Sequence, residues 1–146
     1  METINAVETM KTITGTKGDL VSIINGLFEV QELKGKKFSI LVSKNIAILK
    51  EALQELEDAG RPSEEFLELA GRVNEIANKN EEDAKEQIDA LEKENQELVD
   101  ARKAQMEGVT KRMEEEAEVE LNILSEDSLP EDITAKQINN IIQIIE

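Results

Sequence analysis

Carboxylates and lysines are the residues of this chain that could take part in chemistry, because its 146 residues include no histidine and no cysteine. Without histidine there is no ordinary general base near neutral pH and no Ser-His or Cys-His nucleophile. Carboxylate pairs could hold a cation or act as an acid and a base, but the clusters at 114–116 and 126–127 fit solvated helix faces or loops. We therefore predict a protein that is not an enzyme, with no catalytic, cofactor-binding or metal-binding residues and no cofactor.

The segment GTKGD at positions 15–19 places two glycines beside a lysine. A phosphate-binding loop needs a longer glycine-rich spacing that ends in Gly-Lys-Ser/Thr between a strand and a helix. The segment instead resembles a helix start, with Thr16 as the N-cap and Asp19 three residues later in the capping-box position. We predict a helix over 17–32 that buries one face, formed by Leu20, Ile23, Ile24, Leu27 and Phe28.

The segment LKGKKFSILVSKNIAILK at 33–50 carries five lysines and no carboxylate in a chain with a formal net charge of −16. Its periodicity predicts a helix over 36–59, closed by Gly60 and Pro62. At about 100° per residue, the apolar residues and the lysines fall on opposite sides of this helix. The apolar seam is Val42, Ile46, Leu49, Leu53 and Leu56, and the basic stripe is Lys36, Lys37, Lys44 and Lys50.

The basic stripe could contact a nucleic acid, a membrane, a partner protein or acidic residues of the same chain. Direct nucleic-acid binding is not expected, because the stripe has no aromatic residue of its own and the whole chain is acidic. Membrane attachment is not expected either, since the opposite face is needed for the core. Residues 81–120 hold 15 acidic and 6 basic side chains. These observations favour pairing with an antiparallel acidic neighbour, and a partner-protein contact is the remaining role.

Two further helices are predicted, one beginning at Ser63 and one over 81–116 with Asn80 as its N-cap. The first has an apolar edge of Phe66, Leu69, Val73 and Ile76. The seam of the second contains Asn95, which we interpret as a register-fixing polar residue. Its later positions, Met106, Val109 and Met113, are the candidate partner contact, and they also predict possible self-association into a homo-oligomer.

After residue 116 the apolar pattern changes to a period of two, in which Val119, Leu121 and Ile123 alternate with polar residues. This predicts a strand that pairs with the β-prone residues 10–14, because a lone strand cannot satisfy its own backbone. A capping box of Thr134 and Gln137 then starts a short helix. The buried face of this last helix is predicted to be Ile138, Ile141, Ile142 and Ile145.

The predicted fold class is mainly α with a minor β part. It consists of a long antiparallel helical hairpin or coiled coil, short packed helices and a small two-stranded sheet. Residues 1–9 are expected to form a loosely ordered leader, and residues 10–146 a single helical domain. No stretch reaches the roughly 18 apolar residues that span a bilayer, so no membrane association is expected.

Three segments carry a resemblance to a known family: LKGKKFSILVSKN, PSEEF, and EEAEVELNILSEDSLPEDITAKQINNIIQII. Over roughly residues 10–145 the chain resembles a family of small uncharacterised proteins encoded by tailed bacteriophages and prophages. The resemblance implies a phage accessory protein in the host cytoplasm, or in the virion if it is structural. It implies no catalytic residues.

The function expected from these observations is protein–protein interaction with a host or phage partner. One alternative is a virion assembly component, such as a scaffold or a tail or head chaperone. Another is an acidic anti-defence inhibitor that imitates nucleic acid, although basic residues at 85, 93, 102, 103, 111 and 112 interrupt its carboxylates.

Overall fold

The computed structural model describes residues 9–146, so the predicted leader lies outside the described residues except for Thr9. The described chain forms two compact units. Unit 1 contains the described residues up to Glu55 together with Arg112–Glu146, and unit 2 is Leu56–Lys111. Helices make up 68% of the structure, and a small antiparallel sheet accompanies them. The predicted class, mainly α with minor β, is therefore confirmed.

The elements follow one another along the chain in an order close to that predicted. They are β1 (Met10–Thr16), α1 (Lys17–Val30), α2 (Lys36–Ala52), α3 (Gln54–Ala59), α4 (Glu64–Lys79), α5 (Ala84–Glu94), α6 (Gln96–Met113), β2 (Glu116–Asn122) and α7 (Ala135–Asn140), with 3₁₀ turns at Glu126–Ser128 and Ile142–Ile144. Helices α3 and α6 each begin in one unit and end in the other.

Strands β1 and β2 pair antiparallel, from Met10 opposite Asn122 to Thr16 opposite Glu116. The predicted pairing is confirmed and is longer than expected. Ile13 and Val119 are partners in this ladder, so their side chains lie on the same face of the sheet. Both side chains are buried. The alternating pattern of the sequence therefore places one face of this sheet in the core of unit 1.

Helix α1 begins as predicted, with the Thr16 hydroxyl accepting from the Asp19 N–H and the Asp19 carboxylate accepting from the Thr16 N–H. The predicted buried face is confirmed except at Phe28, which is exposed. The buried face includes Gly26 instead. Gly26 lies close to α7, because a Cβ built on it would be 3.0 Å from the Asn140 carbonyl oxygen. Because α7 packs at Gly26, the buried side of α1 is rotated away from Phe28.

The predicted continuous helix over 36–59 is wrong, because α2 ends at Ala52 and α3 begins at Gln54. Leu53 leaves the helical conformation with φ −101° and ψ 8°, while its N–H still bonds to the Leu49 carbonyl. Both Leu53 and Leu56 remain buried. The interruption thus keeps a main-chain hydrogen bond and two buried leucines, which explains why neither proline nor glycine is needed there.

Asn45 connects α2 to the outer edge of β2. Its side chain is fully buried, with 0% exposure. Its Nδ2 donates to the Asn122 carbonyl at 2.9 Å, and its Oδ1 accepts from the Asn122 main-chain N–H at 2.7 Å. One amide therefore satisfies both main-chain groups of a residue on the strand edge that β1 does not cover.

Helix α4 is capped at Ser63, whose hydroxyl accepts from the Phe66 N–H, as the predicted start requires. Asn80, however, is not the N-cap of the next helix. It ends α4 in the left-handed conformation, with φ 53°, a region that asparagine tolerates better than most residues. Helix α5 begins only at Ala84.

The predicted single helix over 81–116 is also wrong, because Asn95 separates α5 from α6. The Asn95 Nδ2 donates to the Leu91 carbonyl at 2.9 Å, within its own helical turn. An asparagine side chain that bonds to this carbonyl competes with the helical backbone, and the chain at Asn95 adopts φ −112° and ψ 32°. Asn95 therefore interrupts the helix rather than fixing the register between two helices.

The last helix starts with the predicted capping box of Thr134 and Gln137. Its predicted buried face is only partly right. Ile141 and Ile144 are buried and Ile142 is exposed, because the chain tightens into a 3₁₀ turn whose three-residue period aligns positions 141 and 144. The Ile144 carbonyl then accepts from the Leu124 N–H at 2.7 Å.

Candidate partner-binding surfaces

The basic stripe lies on the solvent side of α2. Lys36, Lys37, Lys44 and Lys50 are all exposed. Lys50 places its Nζ 5.8 Å from the centre of the Phe28 ring, a cation–π contact that also occupies the exposed side of Phe28. None of the four forms an ion pair with another residue in the range 9–146.

Apolar and small residues lie between these lysines. Their place on this exposed side was not predicted from the sequence. Ile40 is 46% exposed, and Ser43 and Ala47 are exposed as well. With Lys36 and Lys50 they form a four-three repeat on the side opposite the buried ridge. We call the set Lys36, Lys37, Ile40, Ser43, Lys44, Ala47 and Lys50 the basic face of α2. A second four-three repeat on one helix is the signal that could have identified it.

The residues of the candidate contact, Met106, Val109 and Met113, differ in their exposure and in the unit to which they belong. Met106 is 41% exposed, whereas Val109 is half-buried beside Gly60 in unit 2. Met113 belongs to unit 1, where its side chain lies next to Gly18 of α1. Of the three, Met106 is therefore the residue that is open to a partner.

Unit 2 contains an open apolar cleft of about 350 Å³. Leu69 and Leu91 are buried in the α4–α5 pair, but the other apolar residues here are half-buried or exposed. Leu67, which is also on α4, is 54% exposed. The apolar cleft is lined by Phe66, Leu69, Ala70, Val73, Asn74, Glu92, Val99 and Lys103.

One end of this cleft is fixed by a polar network around Arg102. The guanidinium donates to the Gly60 carbonyl at 2.8 Å and to Gln105 Oε1 at 2.9 Å, and it lies 5.5 Å from the centre of the Phe66 ring. Gln105 in turn donates to the carbonyls of Ala59 and Arg61. Arg102 therefore orders the Phe66 side of the cleft.

The GTKGD segment forms the predicted helix entry and is held by an ion pair. Lys17 Nζ lies 2.7 Å from Glu115 Oε1. The hydrogen bond from Lys17, together with its charge, holds the pKa of the Glu115 carboxyl below its usual range. The depression beside it is lined by Thr14, Gly15 and Thr16 with Glu116, Ala117 and Glu118. Its carboxylates and lack of a lining cation disfavour a phosphate ligand there.

No group of three or more metal-ligating side chains occurs among residues 9–146. In the same part of the chain, no helix is both long enough and apolar enough to cross a bilayer. No protein-family model, curated protein or solved structure matches this chain. The candidate partner-binding surfaces among the described residues are the basic face of α2 and the apolar cleft.

Proposed function

We propose that this protein is a non-enzymatic accessory protein of a tailed phage or prophage that acts by binding another protein through the apolar cleft of unit 2. The observation that carries the proposal is the cleft itself, together with the exposed Leu67 and Met106 on α4 and α6, two of the helices that line it. Exposed apolar groups that border a concave apolar surface are typical of protein-binding sites. The phage origin rests on the resemblance of residues 10–145, and it implies the host cytoplasm or the virion as location.

The geometry favours a helix as the bound element. Two helices that line a cleft leave part of each apolar ridge uncovered, and a further helix can cover both ridges by packing into the groove between them. Phe66 and Val73 present the ridge of α4, and Val99 presents that of α6. An amphipathic helix with an aliphatic stripe is the partner element that this surface fits.

Two charged residues of the lining specify the partner further. Glu92 belongs to α5 and Lys103 to α6, and both line the cleft. A bound helix would place a basic side chain near Glu92 and a carboxylate near Lys103, because either charge left unpaired beside a covered apolar surface is unfavourable. The partner is therefore an amphipathic helix that carries both a basic and an acidic side chain beside its aliphatic stripe.

The absence of histidine and cysteine from the sequence supports a non-enzymatic role. A virion assembly component is a second candidate, favoured by the basic face of α2: a chain with two separate exposed faces can contact two neighbours at once. A nucleic-acid mimic is less favoured, because Lys103 and Lys111 interrupt the carboxylates of α6.

The proposal is tested by affinity capture from cells that carry the protein's native phage or prophage. The capture uses variants of exposed apolar residues on the helices that line the cleft. We expect one protein to be retained by the wild type and lost with Leu67→Asp and with Met106→Asp. Ile40→Asp is the matched control, since it places the same charge at a similarly exposed apolar residue of unit 1. Circular dichroism establishes that each variant is folded.

A photo-crosslinker at Val99 should then map the contact to a helical segment of the retained protein. Retention that survives both cleft variants, loss that is equal with Ile40→Asp, or retention of no protein at all would contradict the proposal.

A further inference from the structure

We infer that a small pocket beside the apolar cleft binds a carboxylate group through Arg102. The pocket measures about 200 Å³, which is below the roughly 300–1,000 Å³ of pockets that hold drug-sized ligands. It therefore has room for one acidic side chain or one small acid. We call it the Arg102 pocket, and it is lined by Ser63, Phe66, Leu98, Ala101, Arg102 and Gln105.

Arg102 is a half-buried cation without a carboxylate partner. In the part of the chain that the structure describes, three basic residues are half-buried rather than exposed: Lys11, Lys17 and Arg102. The two lysines each pair with a glutamate, whereas Arg102 forms no ion pair with a described residue. A charge that is partly removed from water is unfavourable unless a counter-charge accompanies it. In a chain with 33 acidic residues, this unpaired cation points to a counter-ion supplied by a ligand.

The guanidinium of Arg102 is held so that one of its edges stays available. An arginine side chain carries five N–H donors, two of them on Nη1. The Gly60 carbonyl at 2.8 Å and Gln105 Oε1 at 2.9 Å both accept from Nη1. The N–H groups of Nε and Nη2 are left, and this edge matches the two oxygens of a carboxylate. Because Nη1 is anchored, the edge is preorganised for a ligand.

The other polar side chains of the Arg102 pocket also fit an anion. Gln105 donates to two main-chain carbonyls and accepts from Arg102, so both ends of its amide are occupied. The Ser63 hydroxyl accepts from the Phe66 N–H, and its own proton remains available as a donor. Among the described residues, no carboxylate lines this pocket, whereas glutamates line both the apolar cleft and the depression at 14–16. The available side-chain groups are therefore donors.

Two sources can supply the carboxylate: an acidic side chain of a bound partner, or a free small acid. The Arg102 pocket and the apolar cleft share Phe66, and both are lined by α4 and α6. We therefore expect a partner in the cleft to extend an aspartate or glutamate into the pocket. This assignment of the source rests on the proposed function, whereas the carboxylate site itself does not.

The probe for the site is acetate, titrated into the full chain at constant ionic strength and about pH 6.5, where carboxylates are ionised. Proton–nitrogen NMR follows the arginine Nε–H signals. The Arg102 signal should shift to saturation with a dissociation constant on the order of 10 mM, because one bidentate contact binds weakly. The exposed Arg72 is the internal control and should show no saturable shift. Arg102→Lys keeps the charge without the fork, and it identifies the Arg102 signal by its loss.

A matched pair of variants at Ser63 tests the position without removing the cap of α4. Aspartate and asparagine both cap helices, so Ser63→Asp and Ser63→Asn should both fold, as circular dichroism checks. Ser63→Asp places a competing carboxylate at the pocket, and we expect it to weaken acetate binding at least about tenfold. The neutral Ser63→Asn loses one hydroxyl donor and should stay within about threefold of the wild type.

An Arg102 signal that does not saturate, or that moves no more than the Arg72 signal, would overturn the inference. So would equal acetate binding by Ser63→Asp and Ser63→Asn.

Affinity capture with the same two variants separates the two sources. Loss of the retained protein with Ser63→Asp, but not with Ser63→Asn, assigns the carboxylate to the partner. Equal retention by both variants, with acetate binding that still differs, assigns it to a free small acid. Failure of the proposed function looks different, because retention would then survive Leu67→Asp, and acetate binding is measured on the free chain.

Discussion

Replacing Asn45 by alanine should destabilise unit 1 far more than replacing its partner, Asn122. Asn45 is fully buried, and both ends of its amide bond to the main chain of Asn122. Truncation leaves the Asn122 N–H and carbonyl without these partners at the edge of β2. By contrast, Asn122→Ala removes only the side-chain hydrogen bond at 3.1 Å and keeps both main-chain bonds.

The expected loss follows from the number of groups left unpaired. A buried donor that loses its partner costs roughly 1–3 kcal/mol, and each lost hydrogen bond contributes about 1 kcal/mol. We therefore expect Asn45→Ala to lower the free energy of unfolding by about 3 kcal/mol, and Asn122→Ala to lower it by about 1 kcal/mol or less. The difference between these losses reports the two main-chain bonds.

Urea unfolding followed by circular dichroism at 222 nm measures both variants. With a denaturant slope of about 2 kcal/mol per molar, a loss of 3 kcal/mol lowers the transition midpoint by about 1.5 M. Equal midpoints for Asn45→Ala and Asn122→Ala would refute the role assigned to the Asn45 amide.

A third variant, Asn45→Asp, adds a pH test of the same site. Burial raises the pKa of a carboxyl, so the folded protein would bind a proton more tightly than the unfolded chain. The protonated acid can also donate to the Asn122 carbonyl, as the Asn45 amide does. The deficit in unfolding free energy of Asn45→Asp relative to the wild type should therefore shrink as the pH falls from 7 towards 4. A deficit that is the same at both pH values would count against burial of this position.

Three further predictions concern single contacts. Gly26→Ala should lower the free energy of unfolding by about 1–3 kcal/mol, because the added Cβ would lie 3.0 Å from the Asn140 carbonyl oxygen. A melting temperature equal to that of the wild type would contradict this packing. The Lys17 hydrogen bond and charge lower the pKa of Glu115, so this pair stabilises the folded state above the pKa of an unfolded glutamate and less as the pH falls through the lower, folded value. In Glu115→Gln the free energy of unfolding, followed by circular dichroism, should therefore fall less steeply with decreasing pH below about pH 4.3 than it does in the wild type. The same pH dependence in both proteins would argue against the pair. Asn95→Leu should increase the signal at 222 nm and stabilise unit 2 by about 0.5 kcal/mol, since it removes the competing amide; no gain in helix would mean that another interaction causes the break.

Features decided by a few neighbouring residues could be predicted from the sequence. The capping boxes at Thr16 and Thr134 each depend on a side chain three residues away, and the structure contains both. The pairing of β1 with β2 could be predicted although the strands are distant in sequence, because the alternating segment had one β-prone partner available. Local pattern and backbone hydrogen bonding were sufficient in these cases.

The errors lie where tertiary packing or a single side chain overrides helical periodicity. Leu53 and Asn95 interrupt helices without proline or glycine, and Phe28 is exposed because α7 packs at Gly26 instead. The same limit applies to the candidate surfaces. The lysines of α2 could be assigned to the solvent side from charge and period, but Ile40 and Leu67 are apolar, and their exposure depends on which neighbours the fold does not supply.

The arrangement of the two units has a kinetic consequence. The strands β1 and β2 are at least 100 residues apart in sequence, and the whole of unit 2 lies between them. Within unit 2, residues near its two ends already meet where Arg102 donates to the Gly60 carbonyl. If unit 2 folds first, it shortens the loop that sheet formation must close, and each halving of that loop is worth about 0.6 kcal/mol, or nearly threefold in rate. Early folding of unit 2 would then increase the rate at which β1 and β2 pair.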